Sequence, residues 1–150
     1  MTHMSVSAEK IAEVLGGYRI LGRSVRNLHD LDTIVREGMP KMALDTIIAA
    51  LASDFGGVDL TVQIRNKIVP RATYQRVDRF NLQVGETTER LARLYALALS
   101  VFEGREAAAR FLMTPHPELG GRAPFDAALT EIGGREVEEV IERGLHGLPA

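Results

Sequence analysis

Apolar residues recur along this chain at helical spacing, and the longest stripes set the expected architecture. Leu44, Ile47, Ile48, Leu51 and Phe55 fall at i, i+3, i+4, i+7 and i+11, which makes one face of a helix from Lys41 to Asp54. Leu91, Leu94, Tyr95, Ala98, Val101 and Phe102 form a second stripe in the longest predicted helix, from Glu86 or Thr87 to Phe102. Leu97 and Leu99 add apolar surface on its other sides. A helix apolar on more than one side is buried between elements or between chains. This one is therefore the expected spine of the molecule, and packing within one chain or a homodimer surface would explain it equally well.

Shorter patterns fill the remainder. Ala8 to Leu15 reads as a helix with Ser7 as N-cap and Gly16-Gly17 as its stop. Between Tyr18 and Leu31 two readings stay open: Ile20-Leu21 and Val25 suit a short strand, while Leu28, Leu31 and Ile34-Val35 keep helical spacing. Gly38 reads as a C-cap glycine, Pro40 as lying at or just before the next helix start, and Gly56-Gly57 as the end of that helix. Leu60, Ile64 and Ile68 share a helix face, and Val69-Pro70 ends it because proline disfavours helical backbone at the preceding residue. A short helix from Arg71 to Asp78 follows. After Gly104, Glu106 to Leu112 is Ala-rich and helical. Phe125, Ala128, Leu129 and Ile132 form one apolar face, and Gly133-Gly134 is expected to separate it from a last helix. In that helix Val137, Val140 and Ile141 should face inward, with Glu136, Glu138, Glu139 and Glu142 outward. The fold class is all-α.

Composition narrows the function classes. The chain has 150 residues, 45% apolar and 25% charged, enough for one good core or two small ones. With no cysteine, disulfides and thiolate chemistry are excluded. No run of about eighteen apolar residues could span a bilayer, and no charged start precedes an apolar segment. No membrane contact and a cytoplasmic location are therefore expected. The histidines (His3, His29, His116, His146) are scattered, His29-Asp30 has nothing nearby to complete a catalytic set, and Glu138-Glu139 point to different parts of a helix surface. No phosphate loop or His-Glu-x-x-His pair occurs. This is the pattern of a binding protein, not an enzyme, with no cofactor and no metal. His116 is read as a turn residue donating to a local carbonyl.

Charge is divided along the chain. From Thr61 to Phe80, five basic residues (Arg65, Lys67, Arg71, Arg76, Arg79) face one acid, Asp78, whereas from Asn81 onward seven arginines face eleven acids. A basic segment for phosphates and an acidic one for a protein partner would look like this, and so would two solvated helix faces. Two helices joined at Val69-Pro70 also make a helix-turn-helix pattern. Its second helix carries Arg71, Thr73, Tyr74, Gln75 and Arg76, with Arg79 just beyond. Arginine and glutamine pair with base edges, and Thr and Tyr hydroxyls reach phosphates.

The most specific stretch lies in the last third. Thr114-Pro115, Pro117, Leu119-Gly120-Gly121-Arg122, Pro124, Thr130-Glu131 and Arg135-Glu136-Val137 combine many residue types at set spacing. Pro124 suits a first helical position, where its missing N–H costs nothing. This order resembles the C-terminal toxin-binding domain of the Xre/MbcA/ParS-like antitoxins. The resemblance implies an Xre-like helix-turn-helix domain over 28–85, a linking helix and toxin-binding domain over 86–150, and an N-terminal extension over 1–27. It implies a RES-domain toxin that depletes NAD⁺ as partner, operator DNA as a second partner, and a homodimer or higher oligomer. Its implied toxin-contacting residues are Leu119, Gly120, Gly121, Arg122, Pro124, Arg135, Glu139 and Arg143, with His146 and Leu148 in a tail that reaches the toxin's cleft. Arg122 would either bind a partner carboxylate or tie down its own turn. Gly56-Gly57 and Ile68-Val69-Pro70 replace the family's usual turn. A stand-alone regulator and a polar scaffold are the rival readings.

Overall fold

The computed structural model describes residues 5–52 and 57–145. Helix α1 (Ala8–Val14) starts at Ser7, whose hydroxyl accepts from the Lys10 amide. The following glycines do more than stop it. Gly16 has φ of 112°, where an added Cβ would lie 2.5 Å from the Ile20 side chain, so only glycine turns this corner. The chain then enters α2 (Gly17–Leu21), which closes the open alternative at Ile20-Leu21 in favour of a helix. Asn27 caps α3 (Leu28–Gly38) by accepting from the Asp30 amide.

Gly38 ends α3, and Met39-Pro40 forms β1, which pairs antiparallel with β2 (Arg79–Phe80) in the register Met39↔Phe80 and Pro40↔Arg79. This small ladder clamps both ends of the intervening segment. That segment holds α4 (Lys41–Ala52), α5 (Gly57–Ile68) and α6 (Arg71–Arg76). The expected end of α4 at Asp54 and Gly56, and Phe55 of its stripe, lie outside the described residues, while Gly57 opens α5. Helix α6 is shorter than the predicted 71–78: Val77 is extended, and the Asp78 carbonyl accepts from the Lys41 amide at 2.9 Å.

The spine is α7 (Leu82–Val101). It begins before Glu86 because Asn81 caps it, accepting from the Val84 amide at 2.9 Å. The boundary placed between residues 85 and 86 thus falls inside this helix. Leu91, Ala92, Leu94, Tyr95, Leu97 and Ala98 are all buried. They are covered by α1, α3, α4, α8 (Gly104–Met113) and α10 (Glu131–Leu145), so the all-round apolarity of α7 is accounted for by this chain's own core. Between α8 and α10 come a 3₁₀ turn (Pro117–Leu119) and the four-residue α9 (Pro124–Ala127). Such a short helix cannot stand alone. It is held by Phe125, 1% exposed, whose burial is worth about 1.5–3 kcal/mol. One continuous hydrophobic cluster runs from Ala8 and Ile11 through Leu44, Ile47 and Leu94 to Phe125, Val137 and Ile141.

Two expectations about the last helix are corrected. Gly133 and Gly134 lie buried inside α10 and do not separate two helices. A Cβ on Gly133 would stand 1.7 Å from the Ala127 carbonyl oxygen, and one on Gly134 would meet Arg90 Cδ at 2.8 Å. The glycines are there for close approach to α9 and α7. Because α10 is continuous from Glu131, Ile132 follows its phase and is 73% exposed. Glu142 is buried, not outward, since it lies one turn beyond Glu138 on the side that meets α7.

Candidate functional site

The turn after α8 is built almost entirely from its own backbone. The His116 amide donates to the Arg122 carbonyl at 3.0 Å, the Gly121 amide to the His116 carbonyl at 3.1 Å, and the Arg122 amide to the Leu119 carbonyl at 3.2 Å. Gly120 and Gly121 have φ of 68° and 82°, two consecutive left-handed residues that side chains would strain. His116 does not donate to a carbonyl: its Nδ1 accepts from the Glu118 amide at 3.1 Å and caps the 3₁₀ turn. Its ring also meets Phe111 edge-on at 6.3 Å.

Helix α10 fastens this turn from outside. Arg122 Nε donates to the Leu119 carbonyl at 2.8 Å, and its Nη2 pairs with Glu136 at 3.2 Å, so Arg122 ties down its own turn. Arg143 pairs with Glu118. Two of the expected partner contacts, Leu119 and Pro124, do not lie at the surface. Leu119 is 1% exposed and Pro124 is buried at the first position of α9, so both support the turn from below. Gly120, Gly121 and Arg122 are exposed at its tip, Arg143 is half-buried, and Arg135 and Glu139 are exposed on α10. Ile132, Arg135 and Glu139 stand at i, i+3 and i+7 and share the outer face of that helix. His146 and Leu148 lie outside the described residues.

Beneath this surface lies a buried polar attachment. Arg90, 7% exposed, donates through Nε to the Ala128 carbonyl at 3.1 Å, and Arg93 pairs with Glu89 at 3.2 Å and Glu138 at 2.6 Å. Burial holds the Glu89 carboxyl above the usual glutamate range, with Arg93 pulling it partly back. The sequence offered a signal for Glu89 and Arg93, their i, i+4 spacing, but none for Arg90. Its partner is a backbone carbonyl thirty-eight residues away.

The basic segment is assembled differently. Helix α6 buries no residue, and Arg71, Gln75 and Arg76 are exposed. Thr73 is half-buried. Tyr74 is turned inward: its hydroxyl donates to Asp45 at 2.8 Å, Lys41 Nζ donates to its carbonyl at 2.9 Å, and the Arg65 guanidinium lies 4.1 Å from its ring centroid. Burial first, then Asp45, pushes the phenol above its usual value. The expectation that Tyr74 reaches a phosphate is corrected, because its only donor is already used. Arg79 is partly engaged as well, giving Nη1 to the Gly38 carbonyl at 3.0 Å. Lys67 pairs with Asp126 of α9 at 2.8 Å, joining the basic segment to the acidic one.

No described helix is long and apolar enough to cross a membrane. Residues 97–147 match the family model described as the antitoxin Xre/MbcA/ParS C-terminal toxin-binding domain. The match takes in the end of α7, α8, the fastened turn, α9 and α10. Among curated proteins none matches the chain.

Proposed function

We propose that this chain, an Xre/MbcA/ParS-like antitoxin by its C-terminal domain, neutralises a RES-domain toxin and represses its own operon. Toxin binding is carried by one observation above the rest. The turn tip at Gly120–Arg122 and the outer face of α10 at Ile132, Arg135 and Glu139 form an exposed surface on a rigidly fastened support. Such a surface loses little conformational freedom on docking. Ile132 supplies an apolar anchor at 73% exposure, and Arg135 and Glu139 supply charges of both signs. The excess of acids in this half suits a cleft that accepts a dinucleotide's phosphates. Neutralisation is steric: the surface seats the antitoxin over the cleft, and the tail with His146 and Leu148 overhangs it.

Operator binding is assigned to α6, where Arg71, Gln75 and Arg76 are exposed, in a symmetric oligomer with toxin and DNA on separate faces. The decisive experiment is co-expression with a RES-domain toxin encoded beside this chain, followed by co-purification and cellular NAD⁺ measurement. Co-purification, with NAD⁺ falling only when the antitoxin is missing, supports the reading. A neighbour that binds with no effect on NAD⁺ would favour the scaffold instead. Ile132→Asp should abolish co-purification without unfolding the chain, and intact binding by that variant would remove the α10 face from the interface. Deleting 146–150 should weaken neutralisation while the complex still forms.

A further inference from the structure

A cavity of about 600 Å³ opens between the α1–α2 corner and the start of α4, lined by Gly16, Arg19, Ile20, Pro40, Lys41, Met42, Asp78 and Arg79. Three cationic residues line it from three separate elements, Arg19 from α2, Lys41 from α4 and Arg79 from β2. They face one carboxylate, Asp78. Three positive charges against one negative leave a surplus that an anion would offset. Each keeps donors to spare. Lys41 uses one Nζ proton on the Tyr74 carbonyl, Arg79 uses Nη1 on the Gly38 carbonyl, and Arg19 is exposed and forms no ion pair among the described residues.

The geometry is held in advance. Gly16 turns its corner against Ile20, with room for no side chain, so the approach of α2 that brings Arg19 to the cavity is set by the backbone. The β1–β2 pairing Pro40↔Arg79 places Arg79 beside the first turn of α4. Lys41 connects the cavity to α6: the carbonyl it holds belongs to Tyr74, in the helix that carries Arg71, Gln75 and Arg76.

We propose that the cavity framed by Arg19, Lys41 and Arg79 seats a backbone phosphate of the same DNA duplex that α6 contacts, so the N-terminal α2 is a second DNA-binding element. This rests on the operator-binding reading. It adds to that reading one element, α2 with Arg19, that lies outside both the 28–85 helix-turn-helix segment, which supplies Lys41 and Arg79, and residues 97–147. A phosphodiester suits the site because arginine and lysine donors arranged around one concavity bind phosphate oxygens without reading bases.

The test is titration of duplex DNA from the chain's own promoter, by fluorescence anisotropy over a series of salt concentrations. Wild type is compared with Arg19→Ala, Arg19→Lys and Arg71→Ala. Arg19 is chosen because it is exposed and holds nothing else in place, whereas Lys41 also supports α6. Arg19→Ala should weaken binding several-fold and lower the slope of log affinity against log salt by about one, with Arg19→Lys retaining most of both. Thermal melts of the Arg19 variants should match wild type. If Arg71→Ala weakens binding while Arg19→Ala leaves affinity and slope unchanged, the α2 site is overturned and operator binding by α6 stands. A weaker affinity with an unchanged slope also overturns it, since no phosphate contact has been lost. A wild-type protein without duplex affinity overturns the operator reading and this site together.

Discussion

Helix α6 exposes Arg71 and Arg76, and the turn with α10 exposes Arg122 and Arg135, but the two regions hold their arginines in opposite ways. Helix α6 has six residues, buries none of them, and is retained by contacts through Tyr74 to Asp45, Lys41 and Arg65. The turn at Gly120–Arg122 is closed by its own amides, strapped by Arg122–Glu136 and Arg143–Glu118, and seated on a helix whose glycines allow contact at backbone distance. An element held by a few polar contacts can adjust to a duplex. A surface held by backbone geometry can present one shape to one partner. The difference lies in what is buried beneath the arginines, and their number alone does not reveal it.

The largest effect expected from breaking this contrast is in the C-terminal region. Gly133→Ala places a methyl group 1.7 Å from the Ala127 carbonyl oxygen, and backbone cannot yield as a side-chain end can. A loss of about 3 kcal/mol is expected, with toxin co-purification abolished. Gly134→Ala gains about 1 kcal/mol of helix propensity but sets a methyl group 2.8 Å from Cδ of the buried Arg90. That side chain must shift where backbone could not, so the loss should be smaller than that of Gly133→Ala. Chemical denaturation of both variants checks this, and equal losses would mean that close packing at Gly133 is not what joins α10 to α9.

A smaller effect is expected on the other side. Tyr74→Phe removes the hydroxyl that donates to Asp45 at 2.8 Å and should cost about 1 kcal/mol, with most of the change local to α6. Hydrogen exchange should quicken in residues 71–76 and stay unchanged in α10, while DNA affinity falls and toxin binding does not. Equal acceleration in both regions would show that they unfold as one unit.

The smallest effect concerns the junction. Burial raises the Glu89 carboxyl above the usual 4.5, so the folded chain holds that proton more tightly than the unfolded one. The resulting stabilisation is fully present below about pH 4.5 and is lost as pH rises through the folded value. Glu89→Gln should flatten this part of the profile, so that the wild-type melting temperature falls relative to the variant between acid and neutral pH. Parallel profiles would indicate that Arg93 fully offsets the burial.

That helices α4, α5 and α7 exist, and which positions of α7 are core, follows from periodicity, because a stripe at helical spacing has one way to be buried. The start of α7 does not, since Asn81 caps it and the helix begins at Leu82, ahead of the expected Glu86. The order from Thr114 to Val137 was legible too, and the family match over 97–147 includes it. The reading failed where a residue's role depends on something distant in sequence. The resemblance implied Leu119 and Pro124 as partner contacts, yet both are buried. Tyr74 read as a phosphate contact because it stands among basic residues, yet Asp45, on another helix, takes its hydroxyl.

What the sequence by itself determined is the all-α class, the long central helix, the proline- and glycine-rich turn and the division of charge. Each depends on local propensity or on spacing within one element. Tertiary structure alone decided that Gly133-Gly134 lies inside a helix, that Arg90 is buried against a carbonyl, and that Arg19, Lys41 and Arg79 share one cavity. Those outcomes depend on which backbones approach closely. That approach is set by the sum of all packing contacts, which no local pattern records.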